Sequence, residues 1–335
     1  MSPFLVGPTV AALVSLAGAW WLSQPGAPLQ TLDHPGHRSL HDRPTPRTGG
    51  LAVLVAIGAG LLVAGLPSPL PAAAWGVLAG LLAVAAISLA DDRAGVRPAY
   101  RFLVHLLAGC LAVGGAPDLA AGALSLPLAG AVPVTVLGMV WMINLYNFMD
   151  GMDGFAGGMS LAGFGGLALL ALPSGPTGYA LACTVVGAAA VGFLGWNFPP
   201  ARIFLGDVGS APLGYLAGAG ILVGAGLGAF PLPCGLLVFL PFIADASFTL
   251  ARRVVSGERF WEPHRTHLYQ RLVLAGWSHR RVVLWEYLLM ALTVGSALLA
   301  APHGAGVAWA VLGAWTAALL LLAWGLGRWL GAPRA

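Results

Sequence analysis

The stretch Asn144-Leu145-Tyr146-Asn147-Phe148-Met149-Asp150-Gly151-Met152-Asp153-Gly154 closes an apolar run, 129 to 148, that holds no charged residue. It sets two amides and two carboxylates where a membrane segment should end. On a helix, Asn144, Asn147 and Asp150 at i, i+3 and i+6 share one stripe about 120° wide, because each three-residue step turns roughly 300°. Gly151 and Gly154 then let the backbone leave the helix and approach a ligand. An ionisable group at membrane depth is costly, so this polar stripe is expected to face a cavity or the protein interior. The plainer alternative, a helix end reaching water with two solvated Asp, leaves the paired Asn unexplained.

Composition sets the class around that stretch. With 58% hydrophobic residues, 8% charged residues and a mean hydropathy of +0.84 over 335 residues, the chain is no ordinary soluble domain. It reads as an all-α polytopic integral membrane protein, a single transmembrane domain over residues 1–335. A span needs roughly 20 apolar residues. Predominantly apolar runs near 3–22, 49–66, 72–90, 102–116, 129–148, 155–172, 178–196, 208–228, 231–250, 282–301 and 305–327 predict about eleven transmembrane helices.

Charge sets the expected orientation. All sixteen basic residues are Arg. With the N-terminus outside and the C-terminus cytoplasmic, every one of them falls in a cytoplasmic loop or the C-terminal tail, leaving Asp118 as the charge outside. The cytoplasmic loops are then 23–50, 91–101, 144–154, 197–210 and 251–281. The net charge of +4 suits anionic headgroups and phosphate-bearing substrates, and no nucleic-acid module is visible. Residues 1–22 lack the basic start of a signal peptide, so an uncleaved first span is expected. Cys110, Cys183 and Cys234 are odd in number and set in apolar sequence, which predicts small core residues rather than disulfides.

The loops carry the candidate chemistry. The first runs Asp33-His34-Pro35-Gly36-His37-Arg38-Ser39-Leu40-His41-Asp42-Arg43-Pro44-Thr45-Pro46-Arg47-Thr48-Gly49-Gly50. Arg38, His41 and Arg47 could present donors to an anion, or simply orient the chain. Asp91 and Asp92 stand together at a membrane exit, where adjacent carboxylates resist ionising together; one could accept a proton, and one could equally cap a helix. Asp207, between Gly206 and the start of a span, suits either a magnesium ligand or an N-cap. Asp245, inside the ninth run, is expected to act as a support. In Phe260-Trp261-Glu262-Pro263-His264-Arg265-Thr266-His267-Leu268-Tyr269-Gln270-Arg271, the His264 and His267 pair with Arg265 between suits holding a diphosphate or moving a proton. Phe260, Trp261, Tyr269 and Gln270 offer surface for choosing a sugar.

These five loops, in this order and on one side, resemble the polyprenyl-phosphate N-acetylhexosamine-1-phosphate transferases of glycosyltransferase family 4, over roughly residues 33–272. The resemblance implies magnesium at Asp207, with manganese as the alternative ion. It places lipid-phosphate activation near Asp91 and Asp92, nucleotide contacts at Asn147, Asp150 and Asp153, with Asn144 on the same stripe, and Phe204 near the uracil. The reaction expected is UDP-N-acetylhexosamine plus undecaprenyl phosphate giving the lipid diphosphosugar and UMP, at the cytoplasmic face of a bacterial inner membrane, in a monomer or a homodimer. Catalytic roles then fall to Asp91, Asp92, Asp150, His264 and His267, and substrate contacts to Arg38, His41, Arg47, Asn144, Asn147, Asp153, Phe204 and Arg265. The final loop departs from the His-rich form of the peptidoglycan enzyme, which favours initiation of O-antigen or another envelope polysaccharide over phospho-MurNAc-pentapeptide transfer. A transporter would put its polar groups at midplane in two related halves, a pattern this chain lacks.

Overall fold

A computed structural model describes residues 2–27, 29–33, 40, 44–65, 71–258 and 264–330. Arg38, His41, Phe260 and Trp261 lie outside the described residues. The helices, in chain order, are α1 (Pro3–Ser23), α2 (Gly49–Ala64), α3 (Ala72–Ala94), α4 (Pro98–Gly114), α5 (Pro117–Leu124), α6 (Leu128–Met149) and α7 (Phe155–Ala171). They continue with α8 (Thr177–Asn197), α9 (Asp207–Gly226), α10 (Leu232–Val238), α11 (Leu240–Val255), α12 (Leu268–Leu274), α13 (His279–Ala300) and α14 (Gly304–Trp329). Two short strands, β1 (Leu32–Asp33) and β2 (Thr45–Pro46), pair antiparallel between α1 and α2. Proline occupies the first turn of α1, α4, α5 and α10, where its missing N–H has no helical partner to lose.

In lipid, helices gain little by hiding apolar surface from one another, so packing and hydrogen bonds carry the assembly. Small residues let the backbones close. A Cβ added at Gly60 of α2 would sit 2.8 Å from the Cβ of Ala11 in α1. Around that pair α1 packs on α2 and α8, α7 on α8, α3 on α4 and α9, and α6 on α9. The interior is knitted by edge-on aromatic contacts, Phe242 against Tyr146 at 5.1 Å and against Phe155 at 4.7 Å between ring centroids. Large apolar side chains such as Leu62, Leu82, Leu103, Leu137 and Leu299 point outward. Such a surface is untenable in water and fits hydrocarbon. Cys183 and Cys234 are buried as expected, whereas Cys110 is exposed on α4.

Each of the eleven apolar runs falls on helix, yet among the described residues seven stretches are long and apolar enough to cross a membrane, or up to nine if each sharply bent pair is one span. The difference has physical causes. α2 has 16 residues, about 24 Å of helix and short of a typical bilayer core. The pair α4 and α5 bends by 89°, and the pair α10 and α11 by 79°. Residues 279–329 form one continuous apolar stretch of 51 residues that doubles back on itself. Trp315 Nε1 donates to Ser296 Oγ at 3.0 Å, and Arg271 Nη2 to the Gly327 carbonyl at 3.4 Å, so α14 returns to the end where α13 began.

Candidate active site

The helix that carries Asn144 and Asn147 ends earlier than a continuous stripe to Asp150 requires. α6 stops at Met149, and Asp150 is its C-cap, its N–H reaching the Asn147 carbonyl at 3.3 Å. The three polar residues therefore part company. Asn144 Nδ2 turns back to the Val140 carbonyl at 2.7 Å. Asn147 Nδ2 crosses to Ser210 Oγ of α9 at 3.1 Å. Asp150 stands beyond the helix end. Asp153 is buried beneath it, where Oδ2 accepts the Ala201 N–H at 3.0 Å and Oδ1 lies 3.4 Å from His279 Nδ1. Those contacts fasten the loop before α9 and the first residue of α13 to the turn.

The geometry divides the Asp91 and Asp92 pair. Asp92 is only 4% exposed, and its carboxylate accepts the N–H groups of Asp207 at 3.3 Å and Val208 at 2.9 Å. It satisfies donors that a helix leaves open at its start, and its charge complements the positive end of α9. Asp91 faces the other way. It accepts the Val96 N–H at 2.6 Å and pairs with the guanidinium of Arg101, whose Nη1 is also 3.5 Å from Asp207 Oδ2. Arg101 thus joins a carboxylate from α3 to one from α9. No spacing rule pointed to it, since it lies ten residues from Asp91 and 106 from Asp207.

Arg47 braces this arrangement from the first loop. Its Nη2 donates to the Asp92 carbonyl at 2.6 Å, and its Nε lies 3.7 Å from Asp92 Oδ1. The following Gly49 and Gly50 donate to the Phe204 and Leu205 carbonyls at 2.9 and 2.8 Å, and Phe204 N–H returns to Pro46 at 2.7 Å. Gly206, at φ +73°, passes so close to Arg47 that a Cβ would strike its carbonyl oxygen. The Thr-Gly-Gly order of the first loop is therefore a docking surface for residues 204–209. Phe204 is pinned by its backbone and is half-buried.

Asp150 is held well above the usual carboxylate range, first by burial and then by the charges of Asp207 and Asp92. Three carboxylates, Asp91, Asp92 and Asp207, thus meet two guanidinium groups, Arg47 and Arg101, and Asp150 feels the charges of Asp207 and Asp92. Among the described residues no group of three or more His, Cys, Asp or Glu is spaced to enclose a metal. The excess of carboxylate oxygen fits a divalent cation that takes one or two protein ligands and completes its shell with phosphate and water.

The final loop closes over Phe148 of the same turn. His267 is 2% exposed, its ring stacks on Phe148 with centroids 6.3 Å apart, and its Nδ1 lies 3.5 Å from Asp245 Oδ1. Asp245 also accepts Thr249 Oγ1 and Leu268 N–H, each at 3.0 Å, the support expected of it. His264 lies 5.0 Å from the His267 ring and meets Thr266 Oγ1 at 3.0 Å. Burial, with the nearby charges of His267, Arg253 and Arg252, pushes its pKa down to about 4, so at neutral pH it is an uncharged donor and acceptor. Arg265 is half-buried between them. The sugar-choosing roles expected of Tyr269 and Gln270 do not fit, because both are buried; the Gln270 amide oxygen accepts the His267 N–H at 3.3 Å.

A model of glycosyl transferase family 4 matches residues 74–225. A probable undecaprenyl-phosphate N-acetylglucosaminyl 1-phosphate transferase of Bacillus subtilis is 32% identical over 77% of this chain and 74% of its own length. The chain belongs to glycosyl transferase family 4. The decaprenyl-phosphate N-acetylglucosaminephosphotransferase of Mycolicibacterium smegmatis is 30% identical over 85% of this chain and 78% of its own length. The phospho-N-acetylmuramoyl-pentapeptide-transferase of Mycobacterium ulcerans is 32% identical over only 36% of this chain. The family 4 match takes in Asp91, Asp92, Arg101, Asn147, Asp150, Phe204 and Asp207, and ends before α10. In this family 4 chain Arg47 lies before the matched region, and the residues from Asp245 to His279 lie after it.

Proposed function

We propose that this chain transfers an N-acetylhexosamine 1-phosphate, N-acetylglucosamine foremost, from a UDP-sugar to undecaprenyl phosphate and releases UMP. The observation that carries the reading is Arg101 held between Asp91 and Asp207 where α3 ends and α9 begins, in a chain whose relatives are named for that transfer. An oxygen of the lipid phosphate attacks the β-phosphorus of the donor; a new phosphorus–oxygen bond forms as the bond to the α-phosphate bridge breaks, and the electron pair leaves with UMP. Arg101 can release a carboxylate and take up a phosphate oxygen without changing its charge. Asp91, half-buried against Arg101, is placed to orient or deprotonate the lipid phosphate. Asp207, with Asp150 beside it, would hold magnesium or manganese, which when bound supplies charge to the diphosphate oxygens and the leaving phosphate.

Eleven spans with the N-terminus outside follow from the same reading. Segments at one end hold Arg93, Arg97, Arg101, Arg202, Arg252, Arg253, Arg281 and Arg328 together with the carboxylates, which suits the cytoplasmic side of a bacterial inner membrane. The product would begin an envelope polysaccharide. The test is purified protein with undecaprenyl phosphate, magnesium and a panel of UDP-sugars, followed for UMP and lipid-linked sugar. UMP release that depends on both substrates, best with UDP-N-acetylglucosamine, is expected. Transfer only from the UDP-MurNAc-pentapeptide would replace it with the peptidoglycan reading, and no transfer would end both.

A further inference from the structure

Between the end of α6 and the start of α7 the chain must hold Asp150 in a turn that has no helix of its own. Two tyrosines from the C-terminal helices grip that turn at both edges. Tyr269 of α12 is wholly buried and donates its hydroxyl to the Phe148 carbonyl at 3.1 Å. Gly151 passes so close to this hydroxyl that a Cβ there would collide with it. The Tyr269 ring packs on Phe155 with centroids 4.8 Å apart. Tyr287 of α13 donates its hydroxyl to the Gly154 carbonyl at 2.6 Å, over a seat that Gly158 leaves open by having no side chain. The two hydroxyls thus bind carbonyls two residues before Asp150 and four residues after it.

Phe148 belongs to the last turn of α6, where carbonyls run out of helical partners, whereas Gly154 is the N-cap of α7 and its carbonyl also accepts the Gly158 N–H at 2.9 Å. Away from water an unpaired carbonyl is costly, so Tyr269 supplies the partner that Phe148 needs, and Tyr287 adds a second bond to a carbonyl already tied to α7. Their geometric effect falls on Asp150, whose N–H reaches the Asn147 carbonyl at the outer limit of good geometry, 3.3 Å.

We propose that Tyr269 and Tyr287 are positioning residues for Asp150, a two-sided clamp by which α12 and α13 set that carboxylate against Asp207 and Asp92. The inference rests on the transferase reading only for its kinetic consequence; the clamp itself is readable without it. Tyr269→Phe and Tyr287→Phe remove one hydroxyl each and keep the ring. In each variant the backbone amides of residues 149–154 should exchange with deuterium about 10-fold faster or more, while distant helices keep their rates. Unchanged exchange in both variants would overturn the clamp, whatever the protein's activity. In the transfer assay each variant should lose about 10-fold in kcat with donor KM within about 2-fold, because misplacing a reacting group by under 1 Å is felt in the chemical step. The decisive comparison is the same substitution in an Asp150→Asn background, followed with radiolabelled donor. There it should cost less than about 2-fold, since the group being positioned is gone. An equal loss in both backgrounds would make the tyrosines general supports and sink the proposal. If the unaltered chain transfers nothing, the function reading fails and the exchange experiment still decides the clamp.

Discussion

The carboxylate of Asp92, at the end of α3, caps the first turn of α9 by accepting the Val208 N–H at 2.9 Å. One membrane helix thereby ends on the start of another, and Asp207, the first residue of α9, is fixed by a neighbour 115 residues away. Replacing a cap of this kind costs about 0.5–2 kcal/mol, and here the acceptor is a charge at the positive end of a helix. Asp92→Ala should lower the unfolding midpoint of the detergent-solubilised protein clearly, and Asp92→Asn less, because its amide oxygen still accepts one bond. Equal midpoints for all three proteins would remove the capping role.

Arg101 answers to two carboxylates at once, and this makes a distinction between charge and shape testable. Lys in its place keeps the charge and loses the forked geometry. Arg101→Lys is expected to lower kcat/KM for transfer by about 10-fold and Arg101→Ala by about 100-fold, on the scale of charged hydrogen bonds worth about 1.5–3 kcal/mol. Asp207→Asn, which removes both the partner and the proposed cation ligand, should abolish nearly all turnover. Near-normal rates in Asp207→Asn at ordinary magnesium would leave Asp207 as a helix-start residue only.

Asp150 sets a dependence on pH. Its folded pKa lies well above the ordinary 3.8, so the folded state holds a proton that the unfolded chain gives up. Its stabilising share is complete below about 4 and is lost as pH rises through the folded value. Metal-free protein should therefore lose stability along that rise, and Asp150→Asn should flatten the curve. A divalent cation competes with the same proton, so the magnesium needed for half-maximal thermal protection should fall as pH increases. A requirement that grows with pH would contradict the placement of Asp150 beside the cation.

His264 gives the opposite sign. Its pKa falls from 6.5 to about 4, so the neutral ring is favoured in the fold; the stability it lends is present above 6.5 and lost as pH drops through about 4. His264→Gln should make the acid limb of the unfolding curve shallower. Because the ring is uncharged at pH 7, the same variant should leave the transfer rate within about 3-fold there. A loss of 100-fold would show that the His264 ring itself takes part in transfer.

Topology is open to a direct check. A reporter joined near Asp118 should behave as periplasmic and one joined to the C-terminus as cytoplasmic. The reverse pattern would move the carboxylates to the wrong compartment for a nucleotide sugar.

The sequence by itself determined the class of fold and the neighbourhood of the site. Hydrophobic runs separated by Arg-bearing loops are a one-dimensional signal, because a bilayer demands apolar length wherever the chain crosses it. Acidic residues at such depth are costly enough to mark function without any structure, and Asp91, Asp92, Asp150 and Asp207 were all legible in that way. What each residue does with its charge was decided only in three dimensions. Asp91 and Asp92 are identical neighbours in the chain, yet a helix turns successive side chains by about 100°, sending one to Arg101 and the other to the amides of α9. The stripe from Asn144 to Asp150 assumed a helix that continues, and α6 ends one residue too soon. Tyr269 read as a surface for choosing a sugar because a loop position says nothing of burial, and the fold spends it on the Phe148 carbonyl. Bends of 89° and 79° stayed hidden for the same reason: hydropathy records what a segment avoids, whereas direction depends on which neighbours satisfy its backbone.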